Sequence, residues 1–221
     1  WGSLCHNEAV SWTEDLVEHY FERWDWKKLS SSGVIPWTET VIEKYSDRWD
    51  WKKLSMNESL PWSEKLIEKH AERWVWGHGG LSMNSALPWS DDLIDRYVER
   101  WKWGSYGLSG NEGLPWTKDL IARYINRWDW KQLSGNVALP WTLSLIDRYE
   151  DRWCWFGPSN LSRNRGLPWS EKLIDRYADR WIWGPELQSG GVSLSANEGL
   201  PWSKDLIDRY SDRWSYQWLS A

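Results

Sequence analysis

Histidine, serine, aspartate and cysteine are the side chains of this chain that could carry nucleophilic, acid–base or metal chemistry. The four histidines, which show no zinc-ligand spacing, are His6, His19, His70 and His78. The sequence has no phosphate-binding glycine loop, dinucleotide fingerprint or nucleophile elbow. A catalytic group needs one unique constellation, whereas Ser, His and Asp here occupy repeated positions. We therefore predict no catalytic residue, no metal site and no cofactor, and we expect that the chain is not an enzyme.

One sequence motif recurs eight times with small variations: Leu-Pro-Trp-Ser/Thr, then Leu-Ile, Tyr and Arg-Trp-x-Trp. The copies begin at Val10, Ile35, Leu60, Leu87, Leu114, Leu139, Leu167 and Leu200. A period near 25 residues along the whole chain predicts one tandem repeat array, as a segment of a longer one. The expected repeats are 1–25, 26–50, 51–75, 76–102, 103–129, 130–154, 155–182 and 183–215, and 216–221 opens a ninth.

The first half of each repeat has the pattern of an amphipathic helix. In the seventh copy Ser170 is a good N-cap, and the predicted helix runs from Glu171 through Trp181. Counted from Trp169, its apolar residues lie at offsets 0, 4, 5, 8 and 12. At 100° per residue these positions fall within an arc of about 140°. The sequence therefore predicts an all-α fold, an α-solenoid of eight helical repeats of about 25 residues.

The second half of each repeat admits two interpretations. Asp50 could cap a second short helix that carries Trp51 and Leu54, which gives a brief helix hairpin. Alternatively, Leu-Ser-x-Asn-x-x-Leu-Pro is similar to a leucine-rich repeat and would place Asn57 in an asparagine ladder. Leucines are sparse before Asn57, so we favour the helical solenoid and keep the leucine-rich-repeat-like solenoid as the alternative. Whether this half is a short helix or irregular stays open.

The block Trp-Asp-Trp-x-x-Leu-Ser-x-Asn, seen at 49–57 and 128–136, resembles a Trp-rich tandem repeat of bacterial and giant-virus proteins. The resemblance covers essentially the whole chain, although Ser11 replaces Pro in the first copy and Ser32 replaces Asn in the second. That group of proteins has no established activity. The resemblance therefore implies the repeat architecture and no particular function.

Tryptophan supplies 25 of the 221 residues, and 24 of them lie in three registers of the repeat. We predict that they form the core of a thin repeat. The arginine before the second tryptophan projects into the apolar arc, so we expect it to be paired and to stack on a tryptophan of a neighbouring copy. The residues predicted for this structural core are Trp37, Trp62, Trp89, Trp116, Trp141, Trp169, Trp202, Arg48, Arg73, Arg100, Arg127, Arg152 and Arg180.

The charge and the apolar runs of the sequence argue against two classes of partner. The net charge is −5, which argues against binding to nucleic-acid backbone. No apolar run approaches the roughly 20 residues that cross a bilayer, so we expect no membrane partner. Acids at offsets 6 and 10 and a cation at offset 7 predict a ladder of ion pairs between adjacent repeats. Two cysteines in different registers are compatible with a cytoplasmic location, but the compartment stays unknown.

The extra residues of the longer copies all enter between Trp-x-Trp and Leu-Ser, which maps them to one rim of a solenoid. Residues of these rim loops that are candidates for interaction are His78, Tyr106, Phe156, Asn160, Glu186 and Gln188. We expect a structural or protein-interaction module whose partner is another protein or the chain itself, as a homo-oligomer or an end-to-end filament. The alternative is an array that binds carbohydrate or peptide with its rim loops.

Overall fold

A computed structural model of the chain describes residues 1–184 and 193–215. Within these residues the chain forms helices and turns and contains no strand, which confirms the predicted all-α repeat solenoid. The chain divides into two compact units, Trp1–Pro115 and Trp116–Ala221. Glu186, Gln188 and the predicted opening of a ninth repeat at 216–221 lie outside the described residues.

The helices are short and recur with the sequence repeat. In chain order they are α1 (Glu14–His19), α2 (Trp26–Leu29), α3 (Glu39–Lys44), α4 (Trp51–Met56), α5 (Glu64–Lys69), α6 (Asp91–Arg96), α7 (Lys118–Arg123), α8 (Trp130–Gly135), α9 (Leu143–Arg148), α10 (Glu171–Arg176) and α11 (Lys204–Arg209). Single 3-10 turns occur at Leu4–His6, Phe21–Arg23, Leu81–Met83, Leu108–Gly110, Leu161–Arg163 and Leu194–Ala196. None of the described helices is long and apolar enough to span a bilayer.

The predicted N-caps form at the helix that opens each copy. In α10, the Ser170 hydroxyl accepts a hydrogen bond from the backbone N–H of Leu173 at 3.3 Å, and Glu171 lies in the first turn. The same cap recurs in α5, where the Ser63 hydroxyl accepts from the Leu66 N–H at 3.1 Å. A cap of this kind satisfies one of the otherwise unpaired donors of the first turn.

These helices end earlier than the sequence predicts. The predicted helix runs to Trp181, but α10 ends at Arg176, and Tyr177 has φ −119° and ψ 27°. The reason lies in the indole of Trp181, whose Nε1–H donates to the carbonyl of Ile174 at 3.1 Å. Trp153 makes the same bond to Ile146, also at 3.1 Å. The indole therefore folds back over the last turn and satisfies a carbonyl that a longer helix would have used.

The second half of the repeat takes one of two forms, and an aspartate distinguishes them. Where Asp50 lies between the two tryptophans, its carboxylate accepts from the Lys53 N–H at 3.1 Å and α4 follows. Helices α2 and α8 likewise follow Asp25 and Asp129. The copies with longer loops have Val75, Lys102, Cys154 or Ile182 at this position and form only a 3-10 turn. The second half of the repeat is therefore a short helix in some copies and only a 3-10 turn in others.

A ladder of buried asparagines joins adjacent copies within each unit. In the first unit, the Asn84 amide donates to the carbonyls of Ser55 and Asn57 at 3.1 and 3.4 Å, and its own oxygen accepts from Ala86. In the second unit, Asn164 donates to Ser134 and Asn136 at 2.9 and 3.2 Å. This is the ladder of the leucine-rich-repeat alternative. It forms here without the strand that such a repeat requires, at least within the described residues.

A second ladder is made by the serine that follows each buried leucine. The Ser55 hydroxyl donates to the Trp51 carbonyl at 2.6 Å and accepts from the Val75 N–H of the next copy at 3.0 Å. In the second unit Ser134 bridges Trp130 and Cys154 in the same way, at 2.7 and 2.8 Å. These hydroxyls are fully buried, so each bond replaces one that water would otherwise provide.

Candidate interaction surface

The rim loops vary in length without changing the hydrogen bond that closes the repeat. Two residues separate the tryptophan from the buried leucine in α4, four in the loops 77–80 and 104–107, and five in 156–160. In every case the leucine N–H donates to the carbonyl of the residue before that tryptophan. The pairs are Leu54 to Asp50 (2.9 Å), Leu81 to Val75 (2.8 Å), Leu108 to Lys102 (2.8 Å) and Leu161 to Cys154 (3.0 Å).

Glycine makes this closure possible in two of the loops. A Cβ on Gly80 would lie 1.8 Å from the Val75 carbonyl oxygen, and one on Gly107 would lie 2.1 Å from that of Lys102. No side chain fits at such distances. Each of these loops must therefore end in glycine, and the residues between carry the variation.

Two of the candidate residues meet on the rim of the first unit. The rings of His78 and Tyr106 lie 4.8 Å apart at an interplanar angle of 78°, an edge-to-face contact. Tyr106 is 62% exposed and has φ +57°, in the left-handed region. Gly79 occupies the corresponding position of the preceding loop, with φ +70°. The chain thus holds an exposed ring at a position where glycine would avoid strain.

The two candidate residues of the second unit, Phe156 and Asn160, differ in their exposure to solvent. Phe156 is 60% exposed, and Gly157 beside it has φ +87°. Asn160, predicted as an interaction residue, is fully buried, and its amide donates to the Gly157 carbonyl. The Asn160 side-chain oxygen has no hydrogen-bond partner within the described residues. Asn160 therefore shapes the loop, and Phe156 is the residue that it presents.

Two methionines of the first unit, which are not among the predicted candidates, belong to the same rim. Met56 is 45% exposed and Met83 is exposed as well. Each immediately precedes an asparagine of the ladder, Asn57 or Asn84. A methionine at the one outward-facing position of an otherwise buried Leu-Ser-x-Asn block is the signal that could have identified them.

The predicted core tryptophans are placed at different depths. Trp37, Trp116 and Trp141 are buried, Trp62, Trp89 and Trp169 are half-buried, and Trp202 is exposed. Trp141 is typical of the buried group, because its Nε1–H donates to the Asn136 carbonyl at 2.9 Å and its ring lies 4.9 Å from that of Trp153. The third register is also bonded: Trp51 Nε1–H donates to the Ser46 carbonyl at 3.0 Å.

The arginine column lies on the surface, so its predicted position within the apolar arc is wrong. The side chain of Arg73 is 45% exposed, because the helix ends before this residue and the helical projection no longer applies. The expected stacking is present. The Arg73 guanidinium lies 5.3 Å from the ring of Trp51, which belongs to the preceding copy when copies are counted from Ile35 and Leu60. It also donates to the Ser46 carbonyl at 2.9 Å and pairs with Asp47.

The other arginines of the predicted core make related contacts. Arg48 lies over Phe21, Arg100 over Trp76, Arg152 over Trp130 and Arg180 over Trp155. Arg127 has partners of its own. These arginines thus link adjacent copies through contacts on the surface of each unit.

The predicted ion-pair ladder forms on the outer face of the capped helices. Lys44 pairs with Glu18 at 2.8 Å, and Lys69 pairs with Glu43 of the preceding copy. The hydrogen bond from Lys69 lowers the pKa of Glu43, and the hydrogen bond to Glu18 raises the pKa of Lys44. These side chains are substantially exposed, so solvent screens each pair and its share of stability is small.

Tyr177, Cys5 and His70 are among the buried or half-buried groups whose pKa values are shifted. Burial and a hydrogen bond to Asp147 raise the pKa of Tyr177 to about 12, which keeps its hydroxyl a donor. Burial also raises the pKa of the free thiol of Cys5. His70 occupies the register that other copies fill with tyrosine, and burial lowers its pKa. Its Nε2 is buried and has no hydrogen-bond partner in the described residues.

The described residues contain no group of three metal-ligating side chains. No family model matches the chain, and no curated protein or solved structure is significantly similar to it.

Proposed function

We propose that this chain is a non-enzymatic protein-interaction repeat module that contacts its partner with the rim loops. The observation that carries the proposal is the constant closing bond. Leu54 and Leu81 bond to equivalent carbonyls although the connection between them and the tryptophan doubles from two residues to four. Structure that varies without affecting the core is available for recognition.

The exposed apolar side chains support the same surface. Of the large hydrophobic residues that are exposed in the described chain, four belong to the rim. These are Met56, Met83, Tyr106 and Phe156. The outer face of the capped helices instead carries the ion-pair ladder, in which the charged side chains pair with one another. Exposed apolar groups collected on one side of a repeat are typical of an interaction surface.

A selection from a displayed peptide library tests this function. The wild-type chain is compared with a variant that lacks both loops of the first unit. In that variant Val75→Asp and Lys102→Asp supply the missing caps, and Lys-Lys replaces 77–80 and 104–107. We expect peptides that bind the wild type and not the variant, whose helicity should be no lower than that of the wild type. Peptides that bind both proteins equally would reject the rim loops as the site.

Head-to-tail self-assembly is a second candidate, and the direction of the ladders favours it. Asn84, Arg73 and Lys69 each donate to a group of the preceding copy. One face of a repeat therefore presents donors and the other presents acceptors, so that two uncovered faces are complementary. Light scattering over a concentration series tests this: growth into long species supports assembly, and a constant monomer mass rejects it.

A further inference from the structure

Side chains from two loops and one helix meet on the rim of the first unit. Lys52 and Met56 are four residues apart in α4 and so share one face of it. A Cβ on Gly79 would lie 3.1 Å from Lys52 Cε and 3.5 Å from Met56 Sδ, so the loop 77–80 lies directly over that face. The neighbouring residue His78 contacts Tyr106. We call Lys52, Met56, His78 and Tyr106 the rim patch.

The rim patch holds its aromatic ring at an energetic disadvantage. Tyr106 has φ +57° where the equivalent Gly79 has φ +70°. A bulky residue in the left-handed region is strained, and such strain is found at binding sites where the side chain is needed. Since this ring is 62% exposed, its burial in the core cannot account for its retention.

The charge of the rim patch is uncompensated. Lys52 is exposed and makes no ion pair with any residue that the structure describes, whereas Lys44 and Lys69 on the capped helices are both paired. Glu58, which lies two residues beyond Met56, accepts a hydrogen bond from the Ser85 hydroxyl at 2.7 Å. Lys52 is therefore available to pair with a carboxylate of a partner.

The apolar part of the rim patch indicates what accompanies that carboxylate. Met56 is 45% exposed, and a methionine side chain adapts to partners of different shape. Together with the Tyr106 ring it offers a surface for aromatic or long aliphatic side chains. The rim patch contains no carboxylate or amide, which are the usual acceptors for the hydroxyl groups of a sugar. Its chemistry therefore fits a peptide better than a carbohydrate.

From these observations we infer that the rim patch binds an acidic protein segment that presents a carboxylate beside an aromatic or long aliphatic side chain. The inference rests on the proposed function and specifies the partner's chemistry. Lys52 pairs with a carboxylate, while Met56, His78 and Tyr106 cover an apolar side chain of the same segment.

Fluorescence anisotropy with a labelled synthetic peptide in which Glu alternates with Phe tests the inference on the whole chain. We expect Tyr106→Gly to weaken binding by at least about tenfold, since it removes an anchor of the surface. The substitution also relieves the left-handed strain, so a loss of folding does not explain the loss of binding. Lys52→Glu should weaken binding by about tenfold because it opposes the peptide's charge.

The matched control is Lys27→Glu, since Lys27 has the same position in α2 that Lys52 has in α4. No inserted loop is present in the copy after α2, because the second segment of that copy is the helix α4, in which only two residues separate the tryptophan from the leucine. We expect Lys27→Glu to leave binding unchanged. Equal losses for Lys27→Glu and Lys52→Glu would reduce the effect to general charge and overturn the inference.

Two further probes separate this inference from the proposed function. A peptide with Lys in place of Glu should not bind, and binding as tight as that of the acidic peptide overturns the inference. A neutral oligosaccharide whose binding needs Tyr106 but not Lys52 also overturns it, in favour of a carbohydrate site. If library selection yields loop-dependent peptides that are not acidic, the proposed function stands and this inference fails.

Discussion

Tryptophan recurs in this repeat because its indole supplies a hydrogen bond as well as volume. Trp141 donates to Asn136, Trp153 to Ile146 and Trp51 to Ser46, so all three registers bond a backbone carbonyl. Short helices and turns leave many carbonyls without a partner. A phenylalanine would fill similar space but leave those carbonyls unpaired, at a cost of about 1–3 kcal/mol for each buried group.

His70 is the residue at which stability should depend most specifically on pH. Its ring lies 5.0 Å from that of Trp51, and its Nε2 has no hydrogen-bond partner among the described residues. Burial lowers the pKa of His70, and so do the charges of Lys69 and Arg73, whereas Glu43 and Glu39 act in the opposite direction. The unfolded state then binds more protons below its own pKa of about 6.5. Stability is fully present above that pH and is lost as the pH falls below it.

The matched variant is His70→Tyr, which restores the residue of the other copies. Urea unfolding at several pH values should show wild-type stability falling relative to the variant as the pH drops below about 6.5. Parallel curves for the two proteins across this range would show that His70 is not buried as a neutral group.

At the scale of the element, an aspartate cap accompanies the helical form of the second segment. Asp50 accepts from Lys53 and α4 forms, whereas Lys102 cannot accept such a bond and a 3-10 turn forms at Leu108–Gly110. Asp50→Ala should destabilise the chain by about 0.5–2 kcal/mol, the usual value of an N-cap. Lys102→Ala, at the same register, should change stability far less. Chemical denaturation measures both, and equal effects would deny the cap its role.

The sequence predicts those features of the elements that depend on local pattern. The Ser170 cap, the apolar face of α10 and the position of the rim loops follow from periodicity and cap chemistry. The end of α10 at Arg176 does not, because Trp181 has the spacing of a further helical turn and only its bond to Ile174 shows that it folds back. The contact between His78 and Tyr106 joins different loops, and no local rule predicts it.

At the scale of the whole molecule, each copy is a unit that can be removed. Deletion of 50–74 in the first unit joins Trp49 to Val75 and preserves the Trp-x-Trp spacing. Since neighbouring copies interact through the same ladders, the shortened chain should keep its helicity per residue and unfold at a lower denaturant concentration. Circular dichroism with urea titration checks this. Deletion of 63–74, which removes α5 and its Ser63 cap but leaves the rest of that copy, should instead lower the helicity per residue and unfold the first unit.

The closing bond from Leu81 to Val75 also makes the first unit a host for foreign sequence. A segment grafted in place of 77–79, before Gly80, would begin and end at positions that the core already fixes. Lengthening such a connection costs only about 0.6 kcal/mol per doubling, because the entropy of closing a loop grows slowly with its length. Several grafts in the rim loops of successive copies would then display chosen peptides in a row, at a spacing set by the repeat.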